Sequence, residues 1–213
     1  MMILALDCST TVRSAAILDG TRTLAHIVRE EAARTFSSVA LADQALREAG
    51  VRVKDLARVA VGLGPGSYTG IRSSIAVAQG MQLARNVECC GVNSFDVMAE
   101  SARRRGWRGP LRLAADAQRN ELYVADYQLA EDQVTVTRAV HVAPVAGFTV
   151  TDARIAGPDV AAWLPGAQPL HPDALALAHL GARIAPSASA EFLDPIYLRE
   201  TAFVKAPPPR EYL

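Results

Sequence analysis

A glycine-rich connection between a predicted strand and a predicted helix constrains the fold of this chain more than any other segment. Residues 62–70 read Gly-Leu-Gly-Pro-Gly-Ser-Tyr-Thr-Gly. They separate an apolar segment typical of a buried strand, residues 56–62, from a helical pattern over residues 71–85. Glycine and proline in this arrangement favour a tight turn with positive φ angles or close backbone contacts. Ser67 or Thr69 is placed to cap the helix that follows.

Three common catalytic or phosphate-binding loops do not fit this turn. A Walker loop needs a lysine, which the turn lacks, and a dinucleotide-binding fingerprint needs a third glycine where Ser67 or Thr69 stands. A hydrolase elbow needs a central serine, and Ser67 comes one position early. The backbone amides at the start of the helix are still able to hold an anion. Two interpretations of residues 62–70 therefore stay open, a purely structural turn and a binding site for an anion or a nucleotide.

The order of predicted elements indicates an α/β chain with two halves. Three strands open the chain before the first helix, which disfavours a dinucleotide-binding fold, since that fold places a helix after its first strand. Strands are predicted over residues 3–6, 14–18, 23–28, 56–62, 87–92, 111–116, 121–129 and 134–140, and helices over 35–49, 71–85, 94–104 and 173–184. We expect a first lobe over residues 1–104, with the order β-β-β-α-β-α, and a smaller second lobe with a short tail over residues 105–213. The sequence of residues 142–168 has no pattern that predicts a particular helix or strand.

Composition indicates a soluble, cytoplasmic protein with no metal site of its own. Half of the residues are hydrophobic, and 22 basic side chains balance 22 acidic ones, so no chain-wide attraction to nucleic acid is expected. No apolar segment has the length of a membrane-spanning helix or the pattern of a secretion signal. The three cysteines and four histidines lack the spacing of metal ligands.

The helix predicted over residues 71–85 is apolar on all sides and rich in small residues. Such a helix is either fully buried or covers the surface of a partner, and the two interpretations have similar weight here. Gly80 lies in its interior, where glycine costs about 1 kcal/mol relative to alanine. That cost suggests close approach by another backbone.

Four segments, in order along most of the chain, together resemble the bacterial TsaB (YeaZ) family. They read Ile-Leu-Ala-Leu-Asp-Cys-Ser-Thr over residues 3–10, Gly-Leu-Gly-Pro-Gly-Ser-Tyr-Thr-Gly-Ile-Arg over 62–72, Asp-Ala-Gln-Arg-Asn-Glu-Leu-Tyr over 116–123 and Pro-Ile-Tyr-Leu-Arg over 195–199. The second segment is highly specific for the family, whereas the first alone would be weak.

The resemblance implies an actin-like fold of the sugar-kinase and heat-shock ATPase type, which is ribonuclease H-like, with two related lobes of mixed sheets flanked by helices. It also implies a non-catalytic dimerisation and activating subunit in the synthesis of threonylcarbamoyladenosine beside the tRNA anticodon. The implied partners are a catalytic paralogue similar to TsaD, a small ATPase similar to TsaE, and a second copy of this chain. tRNA would be reached through the complex. The chain would need no cofactor itself, although the assembled complex could hold ATP or ADP.

The resemblance further implies that the first two helices of the first lobe form the partner surface. The candidate interface residues are Phe36, Val39, Ala40, Asp43, Arg72, Ile75, Ala76, Gln79 and Gly80. Phe36 and Ser38 stand where many relatives carry histidine and glutamate, which leaves any contact made by those two side chains open.

A nucleotide or anion site in the cleft between the lobes is the weaker hypothesis, and catalytic residues are not predicted. Its candidate residues are Asp7, Ser9, Thr10, Gly64, Gly66, Ser67 and Thr69. Actin-like ATPases bind phosphate at an Asp-x-Gly-Thr/Ser turn, and Ser9 occupies the glycine position here, which impairs close approach by phosphate.

Other functions stay as alternatives with less support. Asp7 and the glycine-rich turn would suit an independent actin-like ATPase or small-molecule kinase, while a peptidase lacks a set of nucleophile, base and orienting residue. Asp116 and Glu121 could form an acid–base pair, but a structural role at strand ends is favoured. A run of arginines around Trp107, at 103, 104, 105 and 108, fits either a nucleic-acid patch or a solvated helix end.

Overall fold

The first half of the chain forms a five-stranded mixed sheet around a central strand that is buried except at its first residue. The computed structural model describes residues 1–30, 37–146, 148, 153–162, 164–187 and 189–198. Strand order is β3-β2-β1-β4-β5, with β1, β2 and β3 antiparallel and β1, β4 and β5 parallel. The strands are β1 Met2–Asp7, β2 Val12–Asp19, β3 Arg22–Glu30, β4 Arg58–Gly62 and β5 Glu88–Val92.

The second half repeats this strand arrangement. Its sheet has the order β10-β9-β6-β7-β8, in which β6, β7 and β8 are antiparallel and β6, β9 and β10 are parallel. Read from the central strand outward, this order equals that of the first sheet, so the prediction of two related lobes with mixed sheets is confirmed. The strands are β6 Gly109–Asp116, β7 Glu121–Leu129, β8 Val134–Pro144, β9 Arg154–Gly157 and β10 Gln168–Pro169.

Four α-helices flank the sheets in the described part of the chain. They are α1 Ser38–Ala49, α2 Tyr68–Arg85, α3 Ser94–Arg104 and α4 Ala174–Gly181. Short 3-10 turns cover Val53–Asp55, Val160–Ala162 and Ala190–Phe192. Within the described residues, no helix is long and apolar enough to cross a membrane.

Several boundaries differ from the predicted ones for identifiable reasons. α1 begins at Ser38 because the Ser37 side chain caps it, three residues after the predicted start, and residues 31–36 lie outside the described chain. α2 begins at Tyr68, earlier than predicted, because Ser67 is its cap. α4 ends at Gly181 rather than at residue 184. The segment 142–168 contains β9 and the first residue of β10, and strands of four and two residues are too short for a periodic signal.

The first sheet is covered on both faces by helices from different parts of the chain. α1 and α2 pack on the face that carries Leu4, Leu6 and Ile17. α4 packs on the opposite face, which carries Ile3 and Ala5. Residues that face α1 and α2 alternate along a strand with residues that face α4. Because both faces of the sheet are buried, these strands are continuous apolar runs in the sequence.

The helix that follows each sheet packs on the other sheet. α3 leaves the end of β5 but buries Phe95 and Met98 against β6 and β7 of the second lobe. α4 follows β10 but buries Leu177 against the first sheet. Each lobe therefore obtains part of its core from a helix that the sequence places beyond the other sheet, and the lobe boundary at 104/105 stays a prediction.

Replacement of Leu177 by alanine should destabilise the whole chain because the side chain is fully buried against the first sheet. A buried Leu→Ala change costs about 2–5 kcal/mol. Urea unfolding followed by circular dichroism measures this loss. Leu83→Ala is the matched control, since Leu83 is 85% exposed and its truncation should cost little. Equal losses of unfolding free energy in the two variants would contradict the packing of α4 on the first sheet.

Candidate functional site

A buried carboxylate holds together the end of β1, the turn that follows it and the start of α3. The Asp7 side chain is fully buried, and its Oδ1 accepts hydrogen bonds from the Ser9 amide at 2.9 Å and the Ser9 hydroxyl at 2.7 Å. Its Oδ2 accepts from the Ser94 hydroxyl at 2.8 Å. Both oxygens are thus used within the chain, and the Ser9 amide is turned toward Asp7 and away from the cleft.

Burial and hydrogen bonding act in opposite directions on Asp7. Loss of solvent is the largest effect and raises the pKa of the Asp7 carboxyl, while the hydrogen bonds from Ser9 and Ser94 lower it. The net direction is upward. A carboxyl in this environment binds its proton more tightly in the folded chain than in the unfolded chain.

The glycines of the 62–70 segment allow it to lie against the end of β1 and the turn after it. A Cβ added at Gly62 would overlap the Asp7 carboxylate, one at Gly66 the Ser9 carbonyl, and one at Gly70 the Cys8 carbonyl. The Ser67 amide also donates to the Ser9 carbonyl at 2.7 Å. These close contacts give the glycines a structural role.

The segment also caps α2. The Ser67 side chain accepts from the Gly70 amide at 3.3 Å, as predicted for one of the two candidate caps, and Thr69 is exposed. Gly64 has a φ of 83° and is buried, and its amide donates to the Ser94 hydroxyl at 3.0 Å. The segment is therefore fixed at both ends, by α2 and by α3.

A cleft of about 540 Å³ separates the two lobes beside this segment. Among the predicted anion-site residues, the structure places Ser9, Thr10, Gly66, Ser67 and Thr69 on its wall. Asp7 and Gly64 are buried and do not line the cleft. The second lobe contributes Asp116, Gln118, Pro158 and Asp159. The cleft brings most of the candidates together. The Ser9 amide and hydroxyl, however, both donate to Asp7.

The opposite wall of the cleft is a left-handed turn between β6 and β7. Gln118, Arg119 and Asn120 have φ angles of 60°, 56° and 60°. The Asp116 side chain accepts from the Gln118 amide at 2.6 Å, and the Glu121 amide donates to the Gln118 carbonyl at 3.1 Å. Asp116 thus supports the turn, in agreement with a structural role.

A second candidate site is the exposed side of α1 and α2, here called the α1–α2 surface. It consists of Val39, Ala40, Asp43, Ala76, Gly80 and Leu83. Val39 is 66% exposed and Leu83 is 85% exposed. The two helices touch, because the Ser38 hydroxyl donates to the Ser73 carbonyl at 3.2 Å. The residues lie at helical spacing, so each of the two helices contributes one continuous strip to the surface.

One expectation about this surface is wrong, one is not met by the chain itself, and one falls outside the described residues. Ile75 is 5% exposed and packs in the core under α2, so it cannot contact a partner directly. A Cβ added at Gly80 meets nothing within 4 Å, so no backbone of the described chain approaches it closely. Phe36 lies outside the described residues. Gln79 is half-buried, and its amide donates to the Ala190 carbonyl at 3.2 Å.

Sequence reasoning missed an aromatic cluster at the start of α2. The Arg72 guanidinium lies 4.5 Å from the Tyr68 ring centroid, and its Nε donates to the Tyr197 hydroxyl at 2.9 Å. The two tyrosines are 59% and 52% exposed, with ring centroids 6.0 Å apart. The Pro-Ile-Tyr-Leu-Arg segment was the only signal for this contact. Arg72 is thereby held at one end of the α1–α2 surface.

The cysteines are buried, as their interpretation as small hydrophobic residues requires. Burial raises the pKa of the Cys8 thiol to about 12 and those of Cys89 and Cys90 to about 11. Such thiols are poor nucleophiles at neutral pH. Among the residues described by the structure, no group of three or more His, Cys, Asp or Glu side chains could hold a metal ion.

The repeated sheets, the exchanged helices and the cleft between the lobes define an actin-like protein of the sugar-kinase and heat-shock ATPase type. A family model described as "TsaD: tRNA N6-adenosine threonylcarbamoyltransferase" matches residues 22–158, which is more than half of the chain. The chain belongs to this family, as a member of its TsaB (YeaZ) group.

Individual relatives agree with this assignment. The chain is 32% identical over 134 residues to the Escherichia coli tRNA threonylcarbamoyladenosine biosynthesis protein TsaB, which covers 63% of this chain and 58% of that protein. Over 132 residues it is 26% identical to the Bacillus subtilis protein of the same description, with coverage of 60% and 56%. The matched part thus spans little more than half of either relative. The structure of YeaZ from Pseudomonas aeruginosa superposes with a TM-score of 0.80 at 28% identity, covering 92% of this chain and 99% of that one.

Asp7→Ala should destabilise the chain by about 3–5 kcal/mol, because it removes the acceptor of three buried hydrogen bonds. Asp7→Asn keeps the shape and one acceptor oxygen and should cost clearly less. Denaturant unfolding of both variants beside the unchanged chain measures the difference. Losses below about 1 kcal/mol for alanine would show that the carboxylate is not a structural centre.

The pH dependence of the same site has a definite sign. Since the folded-state pKa of Asp7 is raised above 3.8, its contribution to stability is fully present below that pH. The contribution is lost as the pH rises through the folded-state pKa. The unfolding free energy of the unchanged chain, relative to Asp7→Asn, should therefore fall over this window, as measured by urea titrations at successive pH values. A relative stability that rises instead would mean that hydrogen bonding outweighs burial.

Proposed function

We propose that this chain is a non-catalytic, activating subunit in the synthesis of tRNA threonylcarbamoyladenosine, and that it docks a catalytic paralogue similar to TsaD through the α1–α2 surface. The observation that carries the proposal is the exposure of Val39 and Leu83 on two touching helices of one lobe. The names of the TsaB relatives supply the pathway, since they are described as biosynthesis proteins for this nucleoside.

The chemistry of the α1–α2 surface suits a helix-to-helix contact. Ala40, Ala76 and Gly80 are small and exposed, and the space over Gly80 is open, so a partner helix could approach the backbone closely. The apolar side chains would lose contact with water on docking. Asp43 and Arg47 form an ion pair of 2.8 Å at the edge, which suits the polar rim of an interface.

The same surface is proposed to serve two occupants in turn. A second copy of this chain could dock on it as a homodimer, and the TsaD-like paralogue could replace that copy. A TsaE-like ATPase would join the heterodimer. Any ATP or ADP would then belong to the assembled complex. Competition between the homodimer and the heterodimer is the direct consequence of one shared surface.

The absence of catalysis is proposed from the state of the phosphate turn. In an actin-like ATPase the turn after β1 offers backbone donors to phosphate, and here the Ser9 amide and hydroxyl donate to Asp7 instead. Gly66 and Gly70 press the 62–70 segment against the same turn. A nucleotide phosphate would have to displace these internal contacts.

Gly80→Leu should reduce formation of the complex at least tenfold while keeping the chain folded. The leucine side chain meets open space, and removal of an interior glycine favours the helix by about 0.5–1 kcal/mol. Val39→Glu should act in the same direction from α1. Light scattering of the purified chain mixed with its TsaD-like paralogue measures the complex. Val136→Glu is the control, because Val136 is 49% exposed on β8, away from both helices.

The result that would contradict the docking proposal is an unchanged one-to-one complex with both surface variants. Loss of the complex with the Val136→Glu control as well would point to a different contact. tRNA modification assayed with both chains, and with the paralogue alone, distinguishes an activating subunit from a passive one.

An independent ATPase of the same fold is the second candidate, and the 540 Å³ cleft with Thr10, Ser67 and Thr69 on its wall favours it. We expect no saturable binding of MgATP to the isolated chain in calorimetric titrations. Binding that is weakened by Thr69→Ala, an exposed cleft residue, would support the ATPase and oppose the scaffold.

A further inference from the structure

The C-terminal ends of α3 and α4 bring a group of arginines together on one surface. The Arg104 guanidinium lies 3.0 Å from the His179 ring, which joins the two helices. Burial, and then the nearby charges of Arg104 and Arg183, lower the pKa of His179. Exposed cations from both helices are therefore close enough to act on one side chain.

Two further arginines extend this group onto the second lobe. Arg108 donates to the carbonyls of Arg103 and Trp107 at 2.8 and 2.7 Å, which fixes it beside the end of α3. Arg154 of β9 lies over the Trp107 ring, 4.4 Å from its centroid. A hollow of about 440 Å³ lies between Arg108 and Arg154.

We call this group the basic surface; it consists of Arg104, Arg105, Arg108, Arg154 and Arg183, all exposed. The neighbouring acids compensate it only in part. Glu100 is buried and bonded twice to Arg103, at 2.7 Å each, so its charge is already matched. Glu131 and Asp132 lie near Arg103, which donates to the Glu131 carbonyl. Arg105 has acidic neighbours of its own, since Asp159, Asp173 and Glu30 act with it on the histidines His26 and His171.

Helix dipoles do not account for the whole basic surface. Cations near the last turn of α3 complement its dipole, which explains Arg103 and Arg104. Arg108 donates to a last-turn carbonyl of α3, so the same dipole favours it as well. Arg154 lies on a strand, where no helix dipole favours it. The chain as a whole has no net charge, so this local excess of cations is not a consequence of composition.

We propose that the basic surface binds the phosphate backbone of the tRNA substrate directly; this inference rests on the proposed function. Arginine guanidinium groups bind phosphate with two parallel hydrogen bonds. The Trp107 ring is covered by Arg154, so the surface offers charge and shape to RNA and no free ring on which a base could stack.

The position of the basic surface is compatible with a docked partner. α4 packs on the face of the first sheet opposite to α1 and α2, so a protein on the α1–α2 surface leaves α4 uncovered. One chain could then hold its protein partner on one side and tRNA on the other. The tRNA would gain phosphate contacts beyond those of the catalytic paralogue.

The test compares Arg105→Glu/Arg183→Glu with Arg22→Glu/Arg138→Glu, which reverses two exposed charges outside the basic surface. Anisotropy of fluorescent tRNA measures affinity for the isolated chain and for the complex with the paralogue, from about 50 to 200 mM salt. The first pair should weaken binding about tenfold or more and reduce the slope of log affinity against log salt by about 2. The control pair should change neither.

The outcomes separate this inference from the proposed function. If the unchanged chain and the Arg105→Glu/Arg183→Glu variant bind tRNA with equal affinity in an intact complex, the inference is overturned. The scaffold proposal then still stands. Failure to form the complex opposes the scaffold proposal, and the titration of the isolated chain still decides the inference. Saturable binding to vesicles with anionic lipid, without binding to tRNA, overturns the assignment to RNA. Arg105→Gln/Arg183→Gln, with thermal melting, guards against a folding defect and should give an intermediate loss.

Discussion

The hydrogen bonds that Asp7 accepts fix the point at which both lobes meet. Through Ser9 they determine the path of the turn after β1, and through Ser94 they attach the first turn of α3. α3 then carries Phe95 and Met98 into the core of the second lobe. One buried carboxylate thus links the central strand of one sheet to the helix that completes the other. A buried carboxyl group is tolerated there because both of its oxygens accept hydrogen bonds from Ser9 and Ser94.

The same network alters the chemistry of the cleft. An actin-like phosphate turn works when its backbone donors point outward and glycine allows phosphate to approach. With serine at residue 9, the amide and the hydroxyl turn inward to Asp7, and the glycines of the 62–70 segment bring a second backbone layer against the turn. The contacts that strengthen the junction between the lobes are therefore the ones that remove donors from the cleft. Stability of the junction and phosphate binding compete for the same atoms.

Local pattern was sufficient for much of the fold and insufficient for most of the candidate site. β1, β7 and α3 were predictable because long apolar segments and caps mark them in the sequence. β9 and β10 were not, because short strands are defined by pairing with β6 and with each other, which no local pattern records. The contact between Arg72 and Tyr197 joins residues 125 positions apart and likewise leaves no local trace.

The α1–α2 surface shows where periodicity reaches its limit. α2 is apolar on all sides, and its sequence does not reveal which side the sheet covers. The fold settles the matter: Ile75 faces the core, while Gly80 and Leu83 face outward. Gly80 is unusual in a helix interior, but the close backbone contact that it predicts does not exist within the described chain. An interior helical glycine under open space has a cost that the chain itself does not recover.

The α1–α2 surface and the α4 part of the basic surface lie on opposite sides of the first sheet. The first sheet is a closed layer, with α1 and α2 on one face and α4 on the other, so an occupant of one face cannot sterically exclude an occupant of the other. A small-residue, apolar surface suits protein, and a surface of arginines suits phosphate. Different chemistry on opposite faces of one sheet is what a subunit needs if it is to position two macromolecules at once, and it requires no reaction in the cleft between the lobes.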